Sequence, residues 1–310
     1  MKIAIIGSGG VGGYFGGKLA EAGFDVTFFA RGEHLSTMRK VGLTVKSILG
    51  DFHIKNISAT DNLRDIEPVD LIIFATKAWQ IKELAPGLKP IVRSGTTILP
   101  LQNGVLAASE LQAFFNPSQI VGGLCRIISK IEAPGVINHF GVTPTIVFGE
   151  LDKTISERTR KIKAVFDKAG INSQISIDIE ADLWKKFISI CVSGLLAITR
   201  STYGELRELK ETRGMMIGLL NEIYALSQKM GINVEPDFVN KTVSYIDNFP
   251  YDSSSSLARD VWEGKPSEIE YQNGTVVKLA AEHGVDVPIN SFVYNCILPM
   301  ERRARKKQIQ

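Results

Sequence analysis

The sequence predicts an α/β chain in two parts, a parallel-sheet domain over 1–178 and an all-helical domain over 179–310. Three observations carry this. The first 31 residues run strand, glycine-rich turn, helix, strand. Later apolar runs in the first half are continuous, as in strands of a parallel sheet covered on both faces. Past residue 179 the pattern turns to helix after helix.

The opening unit is the most informative stretch. Lys2-Ile3-Ala4-Ile5-Ile6 is a strand, and Gly7-Ser8-Gly9-Gly10-Val11-Gly12 follows it. With a helical pattern through Phe15 and Leu19 and a second strand over 26–30, this is the Gly-x-Gly-x-x-Gly unit of a Rossmann-type dinucleotide-binding domain. Gly7 permits the tight turn, Gly9 lets a pyrophosphate approach the backbone, and Gly12 lets the helix pack closely on the strand. The pyrophosphate of a cofactor then meets unpaired N–H groups at the helix N-terminus, where the dipole favours negative charge. Ser8, Gly10 and Val11 belong to the same binding turn.

Arg31 bears on which cofactor binds. A site for NAD usually ends its second strand in Asp or Glu, which accepts from the ribose 2′-hydroxyl. Here Phe29-Ala30-Arg31-Gly32 closes that strand, with no acid at its tip. Arginine offers a planar fork of donors suited to a phosphate, so NADP (as NADPH) is the expected cofactor. A solvated surface arginine is the plain alternative, and Glu33 two residues on leaves NAD open.

Further strands are expected at 43–45, 52–54, 71–75, 97–101, 120–127, 135–139, 145–149 and 174–177. Helices are expected over 34–41, from 80 toward 88, and over 156–168. Ligands in such sheets bind beyond the carboxyl ends of the strands. The glycine turn, Arg31, Lys77 and Asn103 are all placed there. In the second half, helices are expected over 184–198, 215–230, 237–248, 257–262 and 269–283, with a last one after Pro288. Gly231 and Gly284 act as stops. Ser253-Ser254-Ser255-Ser256 reads as an N-cap region, which serine favours.

Composition narrows the class. With 310 residues, 44% hydrophobic and 22% charged, the chain has the make-up of an ordinary soluble enzyme of two domains. A net charge of +3 is too small to imply a nucleic-acid partner. The basic cluster Arg302-Arg303-Arg305-Lys306-Lys307 reads as a solvated helix end. Cys125, Cys191 and Cys296 show no close pairing, which fits reduced thiols and a cytoplasmic location. Met1-Lys2-Ile3 leads straight into the glycine turn and reads as strand, not signal peptide. No apolar run reaches the ~18 residues a membrane span needs, so no membrane partner is expected. No metal site is expected, and a homodimer is left open.

These motifs together give the chain a resemblance to the ketopantoate reductases (2-dehydropantoate 2-reductases), covering nearly its whole length in the right order. The resemblance rests on the glycine motif, Thr76-Lys77-Ala78-Trp79-Gln80, Gln102-Asn103-Gly104, Leu183-Trp184-Lys185-Lys186, and Ser256 followed by Ser267-Glu268-Ile269-Glu270-Tyr271-Gln272-Asn273-Gly274. It implies NADPH-dependent reduction of a 2-oxo acid, ketopantoate, to the 2-hydroxy acid pantoate, a step of pantothenate biosynthesis. The resemblance makes Lys186 the general acid and Glu268 its acidic partner, placed to orient the lysine or to bond the substrate. Ser256 resembles the position gripping the substrate carboxylate. Asn103 and Lys77 resemble residues placed between cofactor and substrate.

Each of these residues has a plainer reading. Lys186 alone would be a helix-surface lysine snorkelling into solvent. Glu268 would be a first-turn glutamate after Pro266 and Ser267. Ser256 could be a cap, Asn103-Gly104 a turn, and Lys77 a strand-end charge. The chemistry gives the functional reading its own reason, because hydride addition to a ketone builds negative charge on oxygen and needs an acid or cation nearby.

One departure stands out. The family pattern has asparagines four and eight residues after the lysine, on one helix face. Here those positions hold Ile190 and Gly194, whose side chains cannot hydrogen-bond. Ser189 and Ser193 have that spacing from Lys185 instead. Either the substrate contacts have changed or Lys185 is the working lysine, and we take Lys186. A reductase of a bulkier or more apolar 2-oxo acid is the second reading. A cofactor-binding sensor without catalysis is the third; retention of both Lys186 and Glu268 speaks against it.

Overall fold

In the computed structural model, which describes residues 1–309, the chain forms two units. One is Met1–Gln102 with Leu106–Ile179; the other is Asn103–Val105 with the chain from Glu180 onward.

The first unit begins β1 (Lys2–Ile6), α1 (Gly10–Glu21), β2 (Asp25–Phe29), α2 (Gly32–Val41). Next come the small strands β3 (Leu43–Ser47), β4 (Phe52–Ile54) and β5 (Ser58–Thr60). The unit continues with β6 (Val69–Phe74), α3 (Gln80–Leu88), β7 (Val92–Pro100), α4 (Ala107–Gln112), β8 (Gly122–Ala133), β9 (Val136–Gly149), α5 (Glu157–Lys168) and β10 (Asn172–Ile175). Five strands make an all-parallel sheet in the order β5-β2-β1-β6-β7. Its continuous apolar runs are explained by alternation onto two separate cores. Ile3, Ile5, Phe28, Leu71 and Ile73 pack on one face, while Ala4, Ile6, Phe29, Ile72 and Phe74 pack on the other.

A second sheet, in the order β10-β9-β3-β4 with β8 on the other edge of β9, lies against α1. The glycines of α1 answer to this double packing. A Cβ on Gly12 or Gly16 would run into Ile5 from the parallel sheet, whereas one on Gly13 would strike Ile137 of the second sheet. Gly17, four residues after Gly13, similarly faces Phe52 and Val45, so small residues line two faces of one helix, each pair at i, i+4.

The second unit is helical: α6 (Ile179–Ile190), α7 (Val192–Thr199), α8 (Tyr203–Glu208), α9 (Lys210–Lys229), α10 (Phe238–Asp247), α11 (Ser256–Trp262), α12 (Asn273–His283) and α13 (Pro288–Ile309). Phe187, Leu195, Leu219, Ile223, Ile269 and Val293 are in its core. No helix among the described residues is long and apolar enough to cross a membrane.

The two-part architecture is as the sequence predicts, with local corrections. The helix expected over 184–198 starts at Ile179 and breaks at Cys191. There the Gly194 N–H turns back to the Cys191 carbonyl at 3.2 Å, and the Asn273 side chain donates to the same oxygen at 3.2 Å. A side chain inserted into the backbone ladder is an established cause of such a break. The helix expected over 269–283 is a single 3₁₀ turn, Ile269–Tyr271, and then α12, divided by Gln272 at φ −115°, ψ −105°. The helix expected from 215 begins at Lys210. The strands expected at 135–139 and 145–149 are one strand, held along most of its length by β8. β5, α4 and α8 were not expected: Ser58-Ala59-Thr60 lacks an apolar run and owes its strand form to pairing with β2.

Candidate active site

The candidate cofactor cleft lies at the carboxyl ends of β1, β2 and β6. Gly7, Ser8, Gly9, Phe29, Ala30, Arg31, His34, Thr76, Gln80, Leu84 and Ile131 line an open cleft there. β2 and β6 flank β1 on opposite sides, so the chain reverses its strand order at β1, the switch point where such folds bind ligands. Gly7 sits at φ +99°, and a Cβ there would meet Thr76 within 2.6 Å. Gly9 caps α1 without any side-chain hydrogen bond, and the first turn carries no acidic residue. A Cβ on Gly9 would touch nothing within 4 Å, whereas one on Gly10 would lie 2.5 Å from the Ser129 carbonyl oxygen of β8. The helix N-terminus is therefore open on one side and walled on the other. Val11 packs half-buried at the edge of the core.

His34 fixes this turn, and nothing in the sequence marks it beyond a position three residues after Arg31. Its Nδ1 accepts from the Gly135 N–H at 3.0 Å, so the proton must be on Nε2, which donates to the Ser8 carbonyl at 2.9 Å. Burial pushes the imidazole pKa down, in keeping with this neutral form. The Ser8 hydroxyl in turn donates to the Phe29 carbonyl at 3.0 Å, tying the turn to the end of β2. Arg31 stands at the mouth, 5.4 Å from the Phe29 ring centroid and ion-paired at 3.2 Å with Glu83 of α3. Lys77 is half-buried. Its backbone N–H donates to the Gln80 side chain, and its ammonium lies 5.9 Å from the Trp79 ring centroid.

The helical unit holds the other candidates. Asn103 groups with this unit, apart from the 1–178 boundary, and its Nδ2 donates to Glu268 Oε2 at 3.2 Å. Gly104 beside it adopts φ +99°, and a Cβ there would lie 2.8 Å from the Tyr271 carbonyl oxygen. Glu268 is buried, and the residue before it is clamped. Glu301 of α13, 2% exposed, accepts from both the N–H and the hydroxyl of Ser267, while Arg305 pairs with Glu301 and donates to the Ser267 carbonyl. Arg305 is thus not part of a merely solvated helix end, and sequence spacing gives no hint of the clamp because 34 residues separate Ser267 from Glu301.

Lys185 and Lys186 differ in surroundings. Lys185 pairs with Glu235 at 2.7 Å and holds that carboxyl below its usual pKa. Lys186, the next residue on α6, is half-buried about 100° further round the helix. Of the two serines in register with Lys185, Ser189 donates to the Lys186 carbonyl at 2.7 Å, and Ser193 is buried. Gly194 is a packing position. A Cβ there would lie 2.4 Å from Asn273 Oδ1 and 2.6 Å from Val293. The expected shared face of 186, 190 and 194 is further disturbed by the break at Cys191. Ser256 is exposed as the first residue of α11. Ser255 is the N-cap, accepting from Ala258, so the capping explanation of Ser256 does not hold.

Comparison with known proteins agrees with this architecture. Residues 3–153 match the model of the ketopantoate reductase PanE/ApbA family, and residues 178–301 match its C-terminal model. The chain is 30% identical to the 2-dehydropantoate 2-reductase of Nostoc sp., over 99% of this chain and 98% of that one. It is also 30% identical to an uncharacterized oxidoreductase of Bacillus subtilis, over 95% and 97% of the two chains. Among solved structures, a PanE/ApbA family ketopantoate reductase from Ralstonia eutropha superposes with a TM-score of 0.91 at 28% identity, covering 98% of this chain and 100% of that one.

Proposed function

The chain belongs to the ketopantoate reductase family of oxidoreductases, and from that premise we propose that it reduces ketopantoate to pantoate with NADPH. The observation that carries the reading is Glu268, buried and joined to Asn103, in a chain that also keeps Lys186. A cofactor sensor would need neither residue.

The cleft fits a dinucleotide. The uncapped N-terminus of α1 and the open side of Gly9 would take the pyrophosphate through Gly7, Ser8, Gly9, Gly10, Val11 and Gly12. Arg31 would take the 2′-phosphate, and Lys77 and Asn103 would complete the contacts. When bound, NADPH supplies the hydride. Lys186 gives its proton to the ketone oxygen as charge gathers there, and Glu268 orients the lysine or bonds the substrate. Ser256, not engaged in capping, holds the carboxylate.

The distal hydroxyl of ketopantoate is the group short of partners. Ile190 is apolar, Gly194 is closed off by Asn273, the Ser189 hydroxyl is engaged with the backbone, and Ser193 is buried. A neutral hydrogen bond adds only about 0.5–1.5 kcal/mol net, so discrimination through it should be weak. We expect kcat/KM for ketopantoate to exceed that for 2-oxo-3,3-dimethylbutanoate, which lacks the hydroxyl, by less than about 10²-fold. A preference of several thousand-fold would show that another residue holds the hydroxyl. A clear preference for the deoxy compound would favour a more apolar 2-oxo acid as the natural substrate.

A further inference from the structure

We propose that Glu83 sets the cofactor selectivity of this cleft by competing with the 2′-phosphate for Arg31, an inference that rests on the reading of Arg31 given above. The end of β2 carries no acid, and none lines the cleft, yet one stands beside Arg31. α3 brings the Glu83 carboxylate to 3.2 Å from the Arg31 guanidinium, across 52 residues of sequence. Glu83 sits on the helix turn whose Gln80 and Leu84 line the cleft, so the ion pair stands at its mouth.

Two effects of Glu83 oppose each other. It holds Arg31 in place, which favours phosphate binding, and it puts negative charge where the phosphate must arrive, which disfavours it. The first effect is small. The pair is exposed, with side chains 53% and 56% accessible, and such pairs hold weakly. The Phe29 ring under the guanidinium, 5.4 Å from its centroid, already orients Arg31 without help from Glu83. The second effect is larger. A phosphate hydrogen-bonded to the same guanidinium carries a charge of about −1.5 to −2 and would lie roughly 5 Å from the carboxylate. In solvent at physiological salt, that repulsion weakens binding by about three- to tenfold. NADH has no 2′-phosphate and escapes it; its ribose hydroxyl can instead donate to Glu83, as it would to the strand-end acid of an NAD site. The Arg31–Glu83 pair therefore narrows the preference for NADPH that Arg31 alone would set.

The test is fluorescence titration of the full chain with NADPH and with NADH, in the parent, Glu83→Gln and Arg31→Ala. Glu83→Gln should tighten NADPH about three- to tenfold, leave NADH within about twofold or weaken it, and lose most of the gain at about 0.5 M salt. Arg31→Ala should weaken NADPH roughly 10- to 100-fold with little change in NADH. An unchanged or weaker affinity for NADPH in Glu83→Gln, with Arg31→Ala behaving as stated, overturns the role of Glu83 alone. An unchanged NADPH-to-NADH ratio in Arg31→Ala overturns the reading of Arg31, and the competition falls with it.

Discussion

Lys186→Ala is expected to lower kcat by roughly 10²–10⁴-fold, the usual worth of a positioned acid, while NADPH affinity stays within about twofold of the parent. The split follows from where the groups are. The glycine turn, Arg31 and His34, which line the cleft proposed for the cofactor, belong to the first unit, whereas Lys186 is on α6 of the second. Lys185→Ala should keep most of its activity. Its ammonium already serves Glu235 in a partly exposed pair, an interaction worth about 0–1 kcal/mol. Stopped-flow reduction at saturating substrate, together with cofactor titration of both variants, measures each half of this statement. A dead Lys185→Ala beside an active Lys186→Ala would reverse the assignment.

Gly194→Asn, which puts back the amide of the family pattern, is expected to destabilise the protein by about 3 kcal/mol or more and to bring no gain in activity. The reason is volume already filled. The new Cβ would lie 2.4 Å from Asn273 Oδ1 and 2.6 Å from Val293. Asn273 cannot simply swing away, because its Nδ2 donates to the Cys191 carbonyl at 3.2 Å and to Asn290 at 3.0 Å, and the residue is fully buried. Moving it would take the donor from Asn290 Oδ1 and one of two donors from the Cys191 carbonyl, in addition to the strain of overpacking. Urea unfolding followed by circular dichroism gives the loss directly. A variant as stable as the parent, with higher kcat/KM for ketopantoate, would show that the amide finds room toward substrate.

These two cases mark where sequence reading succeeds and where it stops. The strand, turn and helix of the opening unit were legible because each depends on local spacing: alternation onto two faces at Ile3 to Ile6, a positive φ at Gly7, and close packing at Gly12. The continuous apolar runs at β1 and β6 announced a doubly covered parallel sheet for the same reason. What depended on distant residues was hidden. Gly194 looked like a lost substrate contact because its filler, Asn273, comes 79 residues later in the chain, and the break at Cys191 arises from that same side chain. Glu83 is close to Arg31 only through the sheet, and Glu301 reaches Ser267 only through the packing of α13. His34 depends on a backbone N–H of Gly135, which no spacing rule supplies. β5 is a strand only because β2 offers it an edge.

The most direct measurement is NADPH consumption by the full chain with ketopantoate, set against a panel of other 2-oxo acids. The account predicts saturable oxidation of NADPH, one pantoate formed for each NADPH consumed, and turnover that all but vanishes in Lys186→Ala. NADPH that binds tightly in the cleft but is not oxidised with any 2-oxo acid would contradict it, and would make the chain a cofactor-binding sensor that has kept its lysine and glutamate without using them.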